Sequence, residues 1–256
     1  IRDRSNGSFG YWSNDSQEAN WLTVFATDFL LTAQNQGYSV PQNALNKATE
    51  RLRYYVQSQF RLQSDLSRYL SDQHVFRVSV KAYAVYVLAQ SQQLSVGDVR
   101  RVYDNIPKDI NSPLPLAHSA RALELMGDQQ RATEAWQKVV DFQWQADRHA
   151  YYGNYGSKIR DYAAVVRLGL ESPLLKQLPQ SVLSMLPEIK SELTKRRWLS
   201  TQERGMLFRT AKSLARQSDG DWQINFINAG ETTAIQRQQD LVNVYVGDDA
   251  KTDIKI

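Results

Sequence analysis

The chain has no cysteine and only three histidines among its 256 residues. The first absence excludes disulfides, thiolate metal sites and a cysteine nucleophile within these residues, without fixing the redox compartment. His74, His118 and His149 have no acidic or histidine partner at i+4, and no HExxH occurs, so no metal site is expected. A GxSxG turn, a P-loop and a GxGxxG loop are missing as well. Gly153-Asn-Tyr-Gly156 comes nearest to a phosphate-cradling loop, but it lacks the flanking strand that a dinucleotide site requires. The carboxylate pairs Asp3/Asp15 and Asp65/Asp72 have no spacing that would make them an acid–base couple. No apolar run approaches the ~20 residues of a membrane span, and no stretch has the basic, apolar, small-residue order of a signal peptide. From its own residues the chain is not read as an enzyme, and no cofactor is implied.

What is present is a composition able to build a core. Hydrophobic residues make up 42% and charged residues 23%, which excludes a disordered chain and suits one domain plus an appendage. The first residues, Ile1-Arg2-Asp3, contain no methionine, so a piece of a longer protein is expected. The net charge of +4 is uneven: residues 217–256 carry −4, leaving +8 over residues 1–216. The bases are scattered, with Lys195-Arg196-Arg197 the one run, placed where cations favour a helix end. No nucleic-acid partner is expected.

Apolar periodicity of about 3.6 places helices over 21–36, 41–57, 72–90, 96–106, 113–126, 128–144, 159–170, 178–195 and 201–217. Gly37 and Gly127 stop two of them, and Asp128 can cap another. Beyond Ser218-Asp219-Gly220 the period falls to two, with Trp222/Ile224/Phe226, Val242/Val244/Val246 and Ile254/Ile256 reading as short strands. The expected organisation is therefore a helical domain over 1–218 and a strand-rich segment of a flanking β domain over 219–256. Short loops between helices imply antiparallel hairpins, in a solenoid or a closed α/α toroid. No strict repeat favours the solenoid, although residues 127–136 resemble one tetratricopeptide turn. His118, among Leu116, Ala117, Ala120 and Leu123, reads as a hydrogen-bonded histidine at a helix surface or core edge. The aromatic groups Phe9, Tyr11, Trp12 and Trp21, and Trp136, Phe142, Trp144, Tyr151, Tyr152 and Tyr155, read as helix-end packing, with a ligand-stacking platform as the other possibility.

Four segments carry a family resemblance. Gly7-Ser-Phe-Gly-Tyr-Trp12 resembles the turn that recurs in terpenoid-cyclase-like α/α toroids, and Trp21-Leu-Thr-Val-Phe25 is similar to a segment of alpha-2-macroglobulin and complement thioester domains. Tyr155-Gly-Ser-Lys-Ile-Arg-Asp-Tyr-Ala163 and Trp198-Leu-Ser-Thr-Gln-Glu203 resemble stretches of the bacterial relatives in the same order. Together, across residues 7–215, they resemble a bacterial alpha-2-macroglobulin. The resemblance implies a mainly α fold, an α/α toroid of antiparallel hairpins with a short C-terminal β segment. It implies part of a broad-spectrum protease inhibitor that traps proteases after bait cleavage, partnered by target proteases and by neighbouring β domains of the same chain. It also implies a periplasmic, inner-membrane-anchored lipoprotein whose anchor lies outside these residues. In the family a six-hairpin toroid needs twelve helices against the nine read here, so residues 1–218 are expected to be a thioester-type toroid domain whose first helices are missing, and the Cys-x-Glu-Gln thioester motif lies among those, upstream of the Gly-Ser-Phe-Gly turn. The lack of cysteine then means either that the chain begins after the motif or that the parent is a thioester-less paralogue. In complement relatives a histidine helps acyl transfer. Only His74 lies in the roughly corresponding region, where the local pattern departs from those relatives, so His74 is a candidate helper and no residue is assigned as catalytic. The alternative is a helical-toroid binding module, or an enzyme acting on glycan or isoprenoid substrates. Such an enzyme would use paired acids or metal ligands, and residues 1–216 contain no Asp-Asp pair.

Overall fold

A computed structural model describes residues 5–11, 16–62, 73–144, 154–175, 179–217, 223–228, 231–236 and 253–255. The chain divides into two compact units, residues 1–214 and 215–256. Trp12, the pairs Asp3/Asp15 and Asp65/Asp72, His149, Tyr151, Tyr152, Gly153, Trp222, the stretch 242–246 and Ile256 lie partly or wholly outside the described residues.

The first unit is an α/α toroid. Its helices are α1 (Asn20–Asn35), α2 (Gln42–Gln57), α3 (Gln73–Ala89), α4 (Val96–Asp104), α5 (Leu114–Leu125), α6 (Gln129–Val140), α7 (Lys158–Leu170), α8 (Pro179–Leu183), α9 (Leu186–Thr194) and α10 (Thr201–Gln217). Burial sorts them into two layers. In α3, α5 and α7, 13 of 17, 10 of 12 and 12 of 13 residues are buried, so these helices are covered all round. In α2, α4 and α6 only 6 of 16, 3 of 9 and 4 of 12 are buried, a single stripe facing inward. The inner helices touch in succession, α1 on α3, α3 on α5 and α5 on α7, while α2, α4, α6, α8 and α9 each pack behind an inner neighbour. Helix α10 completes the circuit through side chains: Thr210 Oγ1 donates to the Ala163 carbonyl of α7 at 2.7 Å, and Arg209 pairs with Asp28 of α1 at 3.3 Å.

Local chemistry explains the ends. Gly37 and Gly127 sit just past α1 and α5 at φ +85° and +81°, where a side chain would be strained. Ser95, Asp128 and Ser157 cap α4, α6 and α7 by accepting from the backbone N–H three residues on. Helix α6 ends at Val140, short of Trp144. The single helix expected over 178–195 is two, broken between Leu183 and Leu186. Pro187 explains the break: it has no N–H for the Leu183 carbonyl, and it fits the first turn of a new helix. Among the described residues no helix is long and apolar enough to cross a membrane.

The second unit holds the last residues of α10 and the strands β1 (Gln223–Asn228), β2 (Glu231–Gln236) and β3 (Asp253–Lys255). Their order is β2-β1-β3 and both pairings are antiparallel, with Phe226 opposite Thr233 on one side and Ile254 on the other. Sequence periodicity anticipates β1 and β3. It misses β2, whose Glu-Thr-Thr-Ala-Ile-Gln has no apolar alternation.

Candidate functional site

The four segments singled out in the sequence lie far apart along the chain, and the fold brings them into contact. Gly7, at φ +77°, lets the N-terminal segment turn against α2, where a Cβ would stand 2.1 Å from the Lys47 carbonyl oxygen. Phe9 then docks on α1: its N–H donates to Thr23 Oγ1 at 3.0 Å, and its carbonyl accepts from Ala19 N–H at 2.9 Å. In the same turn of α1, the Trp21 ring lies under the Arg160 guanidinium of α7, 4.9 Å from the ring centre. At the start of α7, Ser157 Oγ donates to Glu203 Oε1 of α10 at 2.6 Å.

Behind this seam is a buried polar centre. Arg160 and Asp161 form an ion pair at 2.5 Å, and Ser112 Oγ donates to Asp161 Oδ2 at 2.6 Å. The ion pair is not aligned as a hydrogen bond: Arg160 Nε and Asp161 Oδ1 have no hydrogen-bond partner among the described residues. His118 stacks on Tyr83, with centroids 4.5 Å apart and planes 4° apart, and lies 5.4 Å from Tyr86. Tyr83 donates to Asp28 Oδ2 at 2.8 Å, and Gln90 Nε2 donates to Asp28 Oδ1 at 3.3 Å. Arg167 reaches Glu171 at 3.0 Å. Trp21, Ser112, His118, Asn154, Arg160 and Asp161 border a space of about 10 Å³, the size of one water molecule.

Burial governs the titration of this centre. Burial pushes the Asp161 carboxyl up, and Arg160 with Ser112 only partly offsets it. Burial, reinforced by the charges of Arg167, Arg160 and Arg209, holds His118 well below its ordinary range, so the imidazole is neutral. Burial likewise raises Tyr83 and Tyr86 and keeps both phenols protonated. His118 is thus a core residue whose Nδ1 lacks a partner among the described residues, deeper than the helix surface or core edge that its neighbours suggested. Among the described residues no group of three or more His, Cys, Asp or Glu could hold a metal. His74 is not gathered here. It is exposed in the first turn of α3 and lines a surface cleft with Ser58, Arg77 and Lys81.

Sequence reasoning found Trp21, Arg160, Asp161 and Glu203 as motif members. It missed Asp28, Ser112, Arg167 and Arg209. A signal existed for some of these: α7 is apolar apart from Lys158, Arg160, Asp161 and Arg167, and an all-round buried helix does not carry interior charges without internal partners.

No protein-family profile matches the chain. Alpha-2-macroglobulin of Escherichia coli K12 is 34% identical over 220 residues, 86% of this chain and 13% of that protein. The native conformation of E. coli alpha-2-macroglobulin resembles it with a TM-score of 0.79 and 30% identity, covering 98% of this chain and 14% of that one. The same protein activated by porcine elastase resembles it with a TM-score of 0.73 and 30% identity, covering 98% of this chain and 21% of that one. The chain therefore spans about an eighth of the length of the curated relative it matches.

Proposed function

We propose that this chain, which belongs to the bacterial alpha-2-macroglobulin family, is the helical shielding domain of a larger protein that traps proteases once they have cut it. The observation that carries the reading is that one fold, covering 98% of the chain, recurs in both native and elastase-activated E. coli alpha-2-macroglobulin. Recurrence of the fold in both states supports a domain that keeps its own structure while the parent rearranges around it.

The physics is storage and release. An activated acyl group persists only where water and amines are kept out. A toroid whose inner helices α3, α5 and α7 are buried on every side, and whose central charges are neutral or paired, offers a dry, stiff wall for that purpose. In this reading a protease cuts a bait segment elsewhere in the parent. The parent rearranges, and an amine of the protease attacks a Cys–Gln thioester carried outside residues 1–256. The thioester carbonyl carbon gains the N–C bond, the cysteine leaves as thiolate, and the amine proton is released. The chain itself contributes no catalytic group. Its partners are the target protease and the neighbouring β domains of the parent, which we place in the periplasm as an inner-membrane-anchored lipoprotein. Fractionation that recovers the parent from the cytoplasm contradicts that placement.

The test of trapping uses mass. The isolated 256-residue chain, lacking cysteine, shows no mass gain after methylamine treatment. The parent forms a denaturant-resistant adduct with an added protease. A methylamine adduct on the isolated chain, or a parent that leaves the protease fully active on large substrates and unattached, overturns the reading.

A further inference from the structure

Helix α9 ends at Thr194 and α10 begins at Thr201, so the connection between them is short. Helical backbone bonding runs out at Arg196, whose N–H donates to the Leu193 carbonyl at 3.2 Å. It resumes at the Ser200 carbonyl, which accepts from Arg204 N–H at 3.0 Å. Leu193 and Leu199 pack against the core on either side. Between these anchors Lys195, Arg196, Arg197 and Trp198 stand in solvent, with Trp198 72% exposed. The connection is thus a span of non-helical backbone, fixed at both ends, that carries three consecutive cations.

Lys195 pairs with Glu192 at 3.1 Å and Arg196 with Glu203 at 3.4 Å. Both cations lie in solvent, where such pairs hold weakly. Arg197 follows them, past the last helical bond of α9 and before the first of α10. An extended peptide is recognised through its main chain, with pockets reading alternate side chains. A protease pocket closed by a carboxylate selects lysine or arginine. Arg197 offers that cation on backbone that is already outside a helix. The pair Arg100-Arg101 is the contrast. It is equally exposed, but it sits inside α4, with Arg100 on Asp128 at 2.6 Å and Arg101 on Asp98 at 2.8 Å. Cutting there waits for the helix to open.

We propose that the α9–α10 connection is a cleavage site for proteases with an acidic specificity pocket, cut after Arg197 while the ring stays shut. Hydrolysis puts the hydroxyl of water on the Arg197 carbonyl carbon and breaks its bond to the Trp198 nitrogen, which takes the proton. A carboxylate and an ammonium result. Helix α10 does not depart, because Thr210 holds the Ala163 carbonyl, Arg209 holds Asp28, and Ser157 holds Glu203. Met206, Leu207 and Leu214 also pack against the core. The cut therefore severs the covalent path from α9 to everything after it without opening the helical unit. The site does not rest on protease trapping and is read on the chain alone.

The test is limited digestion of the native chain with trypsin, with each new amino terminus labelled and identified by mass over time. A terminus at Trp198 is expected at least about a hundredfold faster than any within α4. In native buffer the fragment beginning at Trp198 elutes with the rest of the helical unit, and in urea it separates. Lys195→Gln/Arg196→Gln/Arg197→Gln loses the cut, with an unchanged helical signal showing that lost cutting is not lost folding. Elastase, whose pocket takes small side chains, spares residues 195–198. Similar rates at the two arginine pairs, a Trp198 terminus formed only in urea, or equal cutting of this span by elastase overturns the site. Release of the fragment in native buffer overturns the closed ring.

Discussion

Glu203 joins two helices through their N-termini. Ser200 N–H donates to its Oε2 at 2.8 Å while its own N–H donates to Ser200 Oγ at 3.2 Å, a capping box at the start of α10. Its other oxygen accepts from Ser157, itself the cap of α7. Burial pushes this carboxyl up, but the bonds from Ser157 and Ser200 and the charge of Arg196 outweigh it and hold the pKa below the usual 4.5. A depressed folded pKa contributes stability that is fully present above the unfolded value and is lost as pH falls through the folded one. Glu203→Gln therefore lowers stability by roughly 1–3 kcal/mol at neutral pH, and the deficit shrinks as pH drops below about 4.5. Urea unfolding of both proteins across that range checks it: an offset that stays constant with pH rules out the assignment. The capping box was legible, because Ser200-Thr-Gln-Glu203 is a local pattern. The link to Ser157, 46 residues earlier, was not, because a single serine at a helix start carries no mark of its long-range partner.

At the level of elements, α7 and α8 meet at Gly169. A Cβ there would stand 2.8 Å from Val182 Cγ1, so the absence of a side chain sets how closely the short helix approaches. Gly169→Ala gains about 1 kcal/mol of helix propensity but overpacks by about 1–3 kcal/mol. The expected outcome is net loss of stability, with Gly169→Ala/Val182→Ala more stable than the sum of the two single changes. Additive single and double variants, compared by thermal unfolding, contradict the contact. Inner helices α3, α5 and α7 and outer helices α2, α4 and α6 were readable from apolar content and period. The α8–α9 break could have been read from Pro187, but apolar residues on both sides of it continue a helical period and hide the restart. Strand β2 escaped because its partner, not its own pattern, makes it a strand.

For the molecule as a whole, the two compact units differ in what can hold them. The helical unit buries a continuous core from Trp21 to Ile189, whereas three short strands bury too little to offset their own ordering. Amides of 223–228 and 231–236 are expected to exchange faster than those of 22–34 and 202–214. Removing residues 219–256 is expected to leave the stability of the helical unit unchanged within about 0.5 kcal/mol. Equal protection in both regions, or a large loss on deletion, makes the strands an integral part of the helical fold. Charge pointed in this direction, since the sign reverses near residue 217. Neither charge nor period could show the polar centre, which is assembled from α1, α3, α5, α7 and α10 and exists only once those helices share an axis.

The pairing of Asp28 with Arg209 spans 181 residues, and that separation sets a clock. Synthesis at about 5–20 residues per second delivers the arginine roughly 10–40 s after the carboxylate. Tyr83 and Gln90, 55 and 62 residues after Asp28, arrive well before it. For that interval the growing chain has most of its inner helices but lacks the cation that lets Asp28 be buried, so the ring stays open and the carboxylate stays wet. Closure of the described ring is thereby assigned to α10. A chain interrupted before residue 209 lacks both bonds by which α10 spans α7 and α1, the one to the Ala163 carbonyl and the one to Asp28.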